Sequence, residues 1–308
     1  MRSILFFPFL LWSIPAFTSE TRPVQPSTGY VPIGRSIEHF ADEAAQLSAE
    51  EAYRQPGFSL CGSEVPNLGI SGAAHWLRFQ VHNSTQDAGL VLGLPHPEID
   101  ELDLFLDGDG RLEHIASVGQ SRTHPWRNDE GQEFSFNLRI APGGTATVLL
   151  RLKSNKQLQV PVILTSASEA SALLATRNLA FGCYVGIMAV MALYNLFLFL
   201  SIRDRGYLMY VFYIVAVTLT QLTLFGFGQH YLWSASAWLS SNASIILTLL
   251  TAVLATEFMK AFLITKDLLP RTHKLFAWFY GAFAISLAVY LFGDPITGYR
   301  MAQAISGL

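Results

Sequence analysis

Apolar and polar positions alternate along the first half of the chain and then stop alternating. In HWLRFQVHN (75–83), Leu77, Phe79 and Val81 interleave with Trp76, Arg78, Gln80 and His82. In EFSFNLRI (133–140), Phe134, Phe136, Leu138 and Ile140 interleave with Glu133, Ser135, Asn137 and Arg139. IDELDLFLDGDG offers Leu102, Leu104 and Leu106 on one face, and TATVLLRLKSN offers Val148, Leu150 and Leu152. A period of two means strands with one face on a core. LVLGLP and LQVPVILT add two further strands, and Asp107-Gly108-Asp109-Gly110 and Pro142-Gly143-Gly144 supply turns between them. Short strands at regular spacing predict an all-β sandwich of jelly-roll type. Ahead of them, SIEHFADEAAQLSAEEAYRQ reads as a short helix with start signals at Ser36 and Ser48, and Ser48 with Glu51 fits a capping box.

From Asn178 the pattern becomes continuous. Residues 178–200 carry no charge, nor do 207–229, 231–256 and 275–293. About 20 residues of helix cross the hydrocarbon of a bilayer. The expected spans are about 178–200, 207–228, 238–259 and 275–293, with room for the start of a fifth from 297. The first 19 residues run from Arg2 through an apolar core to small residues, the layout of a secretory signal peptide. The expected organisation is a signal peptide (1–19), a linker (20–35), an exported sandwich (36–168) and a helical membrane domain (178–308). Export puts SIRDRG (201–206) on the cytoplasmic side. The charge distribution agrees, because Lys260, Lys266, Arg271 and Lys274 fall in the next inner loop, whereas GQHYLWSASAW has no Lys or Arg. Tyr231, Trp233 and Trp238 suit an outer aromatic belt.

Composition supports the split. The 308 residues are 51% hydrophobic and only 14% charged, against roughly 25% charged in soluble domains. A net charge of −3 excludes nothing about fold, but it gives no footprint for nucleic acid. Cys61 and Cys183 lie in different halves and form no disulfide framework; Cys183 reads as a buried, inert thiol. Asp103, Asp107, Asp109 and Glu113 miss the calcium-loop spacing. No metal, cofactor or catalytic motif is expected, and no enzyme activity within these residues.

Candidate binding chemistry sits in aromatic and basic side chains: Trp76, Arg78, Arg122, His124, Trp126 and Arg127. A Trp beside Arg stacks on a sugar ring or pairs with an anion when exposed; when covered, Trp76 closes an end of the sandwich and Arg127 is merely solvated. In the spans, Asn195, Gln221 and Asn242 need partners in lipid, for which interhelical hydrogen bonds are expected. Gly182 and Gly186 form a GxxxG packing signal, and Tyr194 adjoins Asn195. No span carries a charge at its centre, which weighs against a pump or secondary transporter.

Gly186, Tyr194-Asn195, Arg203-Asp204, Tyr207-Leu208, Tyr210, Gly226, Gln229 and Tyr231-Leu232-Trp233 together resemble the seven-transmembrane receptors with diverse intracellular signalling modules. The exported half is similar to that family's type-2 extracellular domain through Trp76-Leu77-Arg78-Phe79, Asn83, Asp103-Leu104, Gly110, Phe134-x-Phe136-x-Leu138, Pro142-Gly143, Leu150-Arg151 and Pro161. The resemblance implies a bacterial inner-membrane sensor. Its periplasmic jelly roll, akin to carbohydrate-binding modules, takes a small-molecule or glycan ligand, and its helices relay to a kinase, cyclase or phosphatase module. The expected partners are that ligand, the lipid bilayer and a second copy of the chain. The family's Gly-Asp is Gly119-Gln120 here. Three further helices and an output module are implied beyond Leu308, so a fragment or a truncated reading frame is expected. The alternatives are a channel or transporter with an exported accessory domain, and an envelope scaffold or enzyme acting on glycans.

Overall fold

The computed structural model describes residues 23–108, 110–122, 133–263 and 270–306, with side chains of the last stretch from 276 onward. The signal-peptide expectation lies outside these residues. Among them, nine strands form two antiparallel sheets. The larger has the order β2 (Ser59–Leu60), β1 (Glu38–Asp42), β3 (Ala74–His82), β8 (Thr145–Lys153), β5 (Glu101–Asp107), β6 (Leu112–Val118). The smaller has the order β7 (Phe134–Arg139), β4 (Gly89–Leu94), β9 (Ile163–Ser166). The chain crosses between sheets after β3, β4, β6, β7 and β8, which is the wrapping of a jelly roll.

The alternating positions close the core. Leu77, Phe79 and Val81 of β3 meet Leu90, Leu92 and Leu94 of β4, Phe134, Phe136 and Leu138 of β7, and Val148, Leu150 and Leu152 of β8 in one buried cluster. Burying each such side chain contributes about 1.5–3 kcal/mol. Asn83 ends β3 inside this core. Its amide nitrogen donates to the carbonyls of Asp87 and Ile140, both at 2.7 Å, and its oxygen accepts from the Thr85 amide and hydroxyl.

The sequence expectation errs between 36 and 55. Residues 38–42 are strand β1, because they pair in register with β3 from Glu38–Arg78 to Asp42–Ala74; this tertiary pairing overrides the local helical composition. The helix that does form, α1 (Ala49–Tyr53), starts at Ser48 with both halves of the capping box present. Nor is 23–33 free linker. It is pinned across the smaller sheet, with Ser27 and Ile33 amides donating to Leu164 and Val162 at 2.9 Å.

Helix α2 (Ala167–Ile202) follows β9 directly and runs 36 residues without a break. At 1.5 Å per residue that is about 54 Å, well beyond the roughly 30 Å of hydrocarbon. Its first turns therefore form a stem on the sandwich and its remainder an apolar rod. Arg203 closes it in the left-handed conformation (φ 64°) and Asp204 caps α3 (Arg205–Leu224) by accepting from the Gly206 amide at 2.8 Å. The charged corner is thus cap chemistry in a tight reversal. A π-helical turn at Gly228–Leu232, α4 (Ala237–Phe262), α5 (Pro270–Phe292) and α6 (Pro295–Ser306) complete the described chain. Helices α2, α3 and α4 are long and apolar enough to span a membrane, and α5 has a shorter apolar stretch over Phe276–Phe292.

The corners sort into two ends. The α2 stem, the end of α3, the start of α4 and the α5–α6 corner lie at the sandwich: Arg177 donates to the Phe225 carbonyl, Ser121 reaches Ser241, and Arg300 donates to the Ile70 carbonyl at 2.7 Å. The 203–206 corner is one full helix away.

Replacing Asn83 with Ala removes four hydrogen bonds and takes the donor from the buried Ile140 carbonyl. We expect a loss of about 3 kcal/mol, seen as a lower melting temperature of the sandwich. An unchanged melting temperature would contradict this role.

Candidate functional site

A sandwich has two outer faces, and here they differ. The face of the six-stranded sheet is covered. Trp76 is 1% exposed and packs in a second small core with Ala52 and Leu149, flanked by Phe40, Phe58 and Phe105 under α1. Arg78 donates to Glu38 at 2.8 Å and to the Tyr53 carbonyl at 3.0 Å, with its guanidinium 4.1 Å above Phe58. Trp76 is closed off, and Arg78, though partly exposed, is committed to these contacts. The alternation that put them opposite the core set is real, but α1 and the 56–60 segment close over that face. Arg122 is also engaged. It pairs bidentately with Asp103 at 2.6 and 3.2 Å, and Arg151 bridges Asp103 and Glu101. Burial alone would raise the Asp103 carboxyl, but hydrogen bonds from Arg122, Ser117 and Arg151 overcome it and hold the group below its ordinary range. Asp107, another of the acidic set, accepts from the Gly110 amide and from the Tyr53 hydroxyl, as a turn residue does. His124, Trp126 and Arg127 lie outside the described residues.

The face of the three-stranded sheet is open, and it holds a groove of about 810 Å³, within the range of ligand pockets. Its floor is the outward set of the smaller sheet: Val91 and Gly93 of β4, Ser135 and Asn137 of β7, Ile163 and Thr165 of β9. Its far wall is the α2 stem, with Ala170, Leu173, Leu174 and Arg177. The pinned strap adds Tyr30, whose phenol burial pushes up against the opposing pull of Arg177. The floor is thus hydroxyl and amide chemistry and the wall is mostly small and apolar. Thr165 is buried, and its hydroxyl has no partner among the described residues. At the membrane end Arg177 ion-pairs with Glu133, donates to the Phe225 carbonyl at 3.0 Å and lies over the Phe225 ring. One side chain therefore ties the sheet, the first membrane helix and the end of the second. At the other end Glu169 accepts from the Gly29 amide at 3.4 Å. The alternation in EFSFNLRI already displayed this polar row. Nothing in the sequence said that a helix would stand over it.

In the membrane half, Gly182 and Gly186 have open space where a side chain would point, and Tyr194 is exposed. The glycines therefore mark no close helix contact among the described residues. Cys183 is likewise exposed on the rod rather than buried. Asn195 and Asn242 donate to the carbonyls four residues back, Met191 and Trp238, instead of bridging helices. Gln221 is half-buried near the end of α3. Hydrogen bonds that do join helices come from residues not singled out in the sequence: Thr220 to Thr251 at 2.9 Å between α3 and α4, Tyr280 to Glu257 between α5 and α4, and Ser286 to the Gly298 carbonyl at 2.9 Å between α5 and α6.

The architecture is thus a β-sandwich whose groove is walled by the root of a helix long and apolar enough to cross a membrane. A family model for "7TM diverse intracellular signalling" matches residues 177–308, and one for "7TMR-DISM extracellular 2" matches 34–166. The chain belongs to this family of receptors, with its extracellular domain preceding the membrane helices. Among curated proteins no match is found. Of solved structures, a GH31 alpha-xylosidase from Xanthomonas citri shares 13% identity over 44% of this chain and 14% of that one, with a TM-score of 0.24. TmCBM61 in complex with beta-1,4-galactotriose shares 13% over 42% of this chain and 88% of that one, also at 0.24. Likenesses this slight define no shared site.

One titratable pair lies on β1 and β3, on the face of the larger sheet that also carries Leu77 and Leu152. His39 Nε2 and His75 Nδ1 are 2.9 Å apart, and Ser71 Oγ is 3.0 Å from His75 Nε2. Burial, and then the charge of His39, bring His75 down to about 4. The unfolded chain thus binds more protons between about 4 and the ordinary 6.5. The stabilisation is complete above that window and is lost as pH falls through it. We expect the melting temperature to drop on acidification across the window, with a shallower slope in His75→Gln. Equal slopes would contradict the assignment.

Proposed function

We propose that these residues are the sensory input and transmembrane portion of a bacterial signal-transduction receptor, set in the inner membrane with the sandwich in the periplasm. The observation that carries this reading is that the groove has two walls of different kinds. One belongs to the exported sheet, and the other is the continuous stem of the first membrane helix. A small ligand with an apolar body and hydroxyl or amine groups fits between them, its polar atoms on Ser135, Asn137 and Thr165. Binding shifts the helix only if the ligand prefers one separation of sheet and stem over another. The lever is then the α2 rod, and the Arg177–Glu133 pair is the contact that must adjust when the separation changes. The relay to an intracellular signalling module follows from the family and from the rod's direction. The envelope-scaffold alternative gives no reason for a helix to wall the groove.

The test is a thermal-shift screen of the full chain in detergent, against a panel of mono- and oligosaccharides, polyols and small amines. For any compound that stabilises the parent, Ala170→Trp should fill the groove and weaken binding at least tenfold. Asn137→Ala should weaken it about three- to tenfold, the worth of a hydrogen bond or so. Arg122→Ala, on the covered face, should leave affinity unchanged while lowering stability. A ligand whose affinity survives Ala170→Trp but not Arg122→Ala would place the site elsewhere.

A further inference from the structure

A second meeting of sandwich and helices lies away from the groove, under the loop PHPEID (95–100). Three parts of the sandwich converge there: this loop, the segment after β8 (154–158) and the residues after β6. They press on the α5–α6 corner. The Gln303 amide donates to Gln157 at 2.7 Å, and Arg300 donates to Ile70. Gly298 of α6 lies so close to the Tyr290 backbone of α5 that a Cβ would collide with it, so the corner is fixed as one piece.

Inside this joint is an incompletely satisfied polar cluster. Lys156 is 1% exposed; its ammonium donates to Gln120 Oε1 at 2.6 Å and stands 3.7 Å from Asp100 Oδ1. Gln120 occupies the place where the family resemblance leads one to expect an acid, so the buried cation has an amide as its nearest partner. Four buried atoms lack a hydrogen-bond partner among the described residues: His96 Nε2, Glu98 Oε1, Asp100 Oδ1 and Gln120 Nε2. Unmade bonds of this kind cost about 1–3 kcal/mol each, and water would make them. From the helices, Tyr290 lies within electrostatic reach of Asp100 and Glu98, and Tyr299 within reach of Glu98. The charged groups acting on His96 are Glu98 and Lys156; Asp100, Tyr290 and Tyr299 belong to the same cluster through their interactions with Lys156 and Glu98.

We propose that this joint is a second input site whose ligand is the proton: protonation of His96 from periplasmic water parts the sandwich from the α5–α6 corner. The closed joint holds the imidazole neutral, with one ring nitrogen on the Gln157 backbone and Nε2 bare. Burial pushes the group below its ordinary range; Glu98 and the Gln157 backbone pull it up, and Lys156 pushes it further down. The net effect is that an open joint, with His96 in water, binds the extra proton more readily. By linkage, acidification through about 6.5 favours opening, and one proton shifts the open-to-closed ratio by up to about tenfold per pH unit. Opening also admits water to the four unpartnered atoms. No reactant beyond the proton is needed. This inference is independent of the groove's ligand.

The experiment uses the full chain in lipid nanodiscs, with Cys61 and Cys183 replaced by Ser and spin labels on Ser63→Cys of the sandwich and Phe292→Cys at the end of α5, both exposed positions. Pulsed-EPR distances are recorded from pH 8 to pH 5. One population is expected at pH 8, with a longer one growing below about 6.5, and His96→Gln should reduce the change to less than twofold over the range. In the parent, the carbon-13 signal of His96 should titrate in step with the distance change, which keeps the proposal testable if His96→Gln is unstable. A distance distribution that stays fixed while His96 titrates overturns it. So does shortening on acidification. A transition that survives His96→Gln but disappears in His75→Gln moves the trigger to the neighbouring histidine pair, and the assignment is then wrong.

Discussion

A helix that enters lipid cannot leave a backbone amide or carbonyl unpaired, because each unpaired group costs several kcal/mol there. Helix α2 therefore continues as a hydrogen-bonded rod from Ala167 on the sandwich to Ile202 at the far corner. The rest of the molecule is arranged around that continuity. The stem walls the groove of the smaller sheet, and Arg177 ties the sheet to the end of α3 where the rod passes between the two environments. The corner at Arg203 and Asp204 closes the rod with its own caps.

The sandwich spends its surfaces unequally. Its larger sheet buries Trp76 beneath α1 and locks Asp103 between two arginines, so that face is a stability device. Its smaller sheet leaves hydroxyl and amide groups facing a small-residue helix wall. Its base presses an incompletely satisfied polar cluster onto the α5–α6 corner. The sandwich thus meets the membrane helices in at least two places of contrasting character: one concave with room to spare, one closed and polar.

Much of the fold was legible in the chain, for physical reasons. Period-two alternation at Leu77–Val81 and Phe134–Leu138 can bury one face only as strands, and uncharged stretches such as 178–200 have no soluble use. The capping box at Ser48 was legible because its two bonds are local. What was not legible depended on contacts distant in sequence. Residues 38–42 are acidic and look helical, yet they pair with β3. Trp76 and Arg78 share a polar-looking face, and only the three-dimensional arrangement brings α1 over it. Asn195 and Asn242 solve their problem within their own helices, and less conspicuous side chains such as Thr220, Thr251 and Ser286 make interhelical bonds instead. Of the candidate site, the polar row of β7 was visible but the wall opposite it was not.

The account depends on one geographical claim: that the sandwich and the 203–206 corner are separated by the bilayer. The most direct measurement is labelling of single cysteines, Arg205→Cys or Ser234→Cys, in spheroplasts with a membrane-impermeant maleimide, the native Cys61 and Cys183 being replaced by Ser. The account predicts that Ser234→Cys reacts in intact spheroplasts and Arg205→Cys only after the membrane is opened. Labelling of Arg205→Cys from outside, with Ser234→Cys protected, would contradict it.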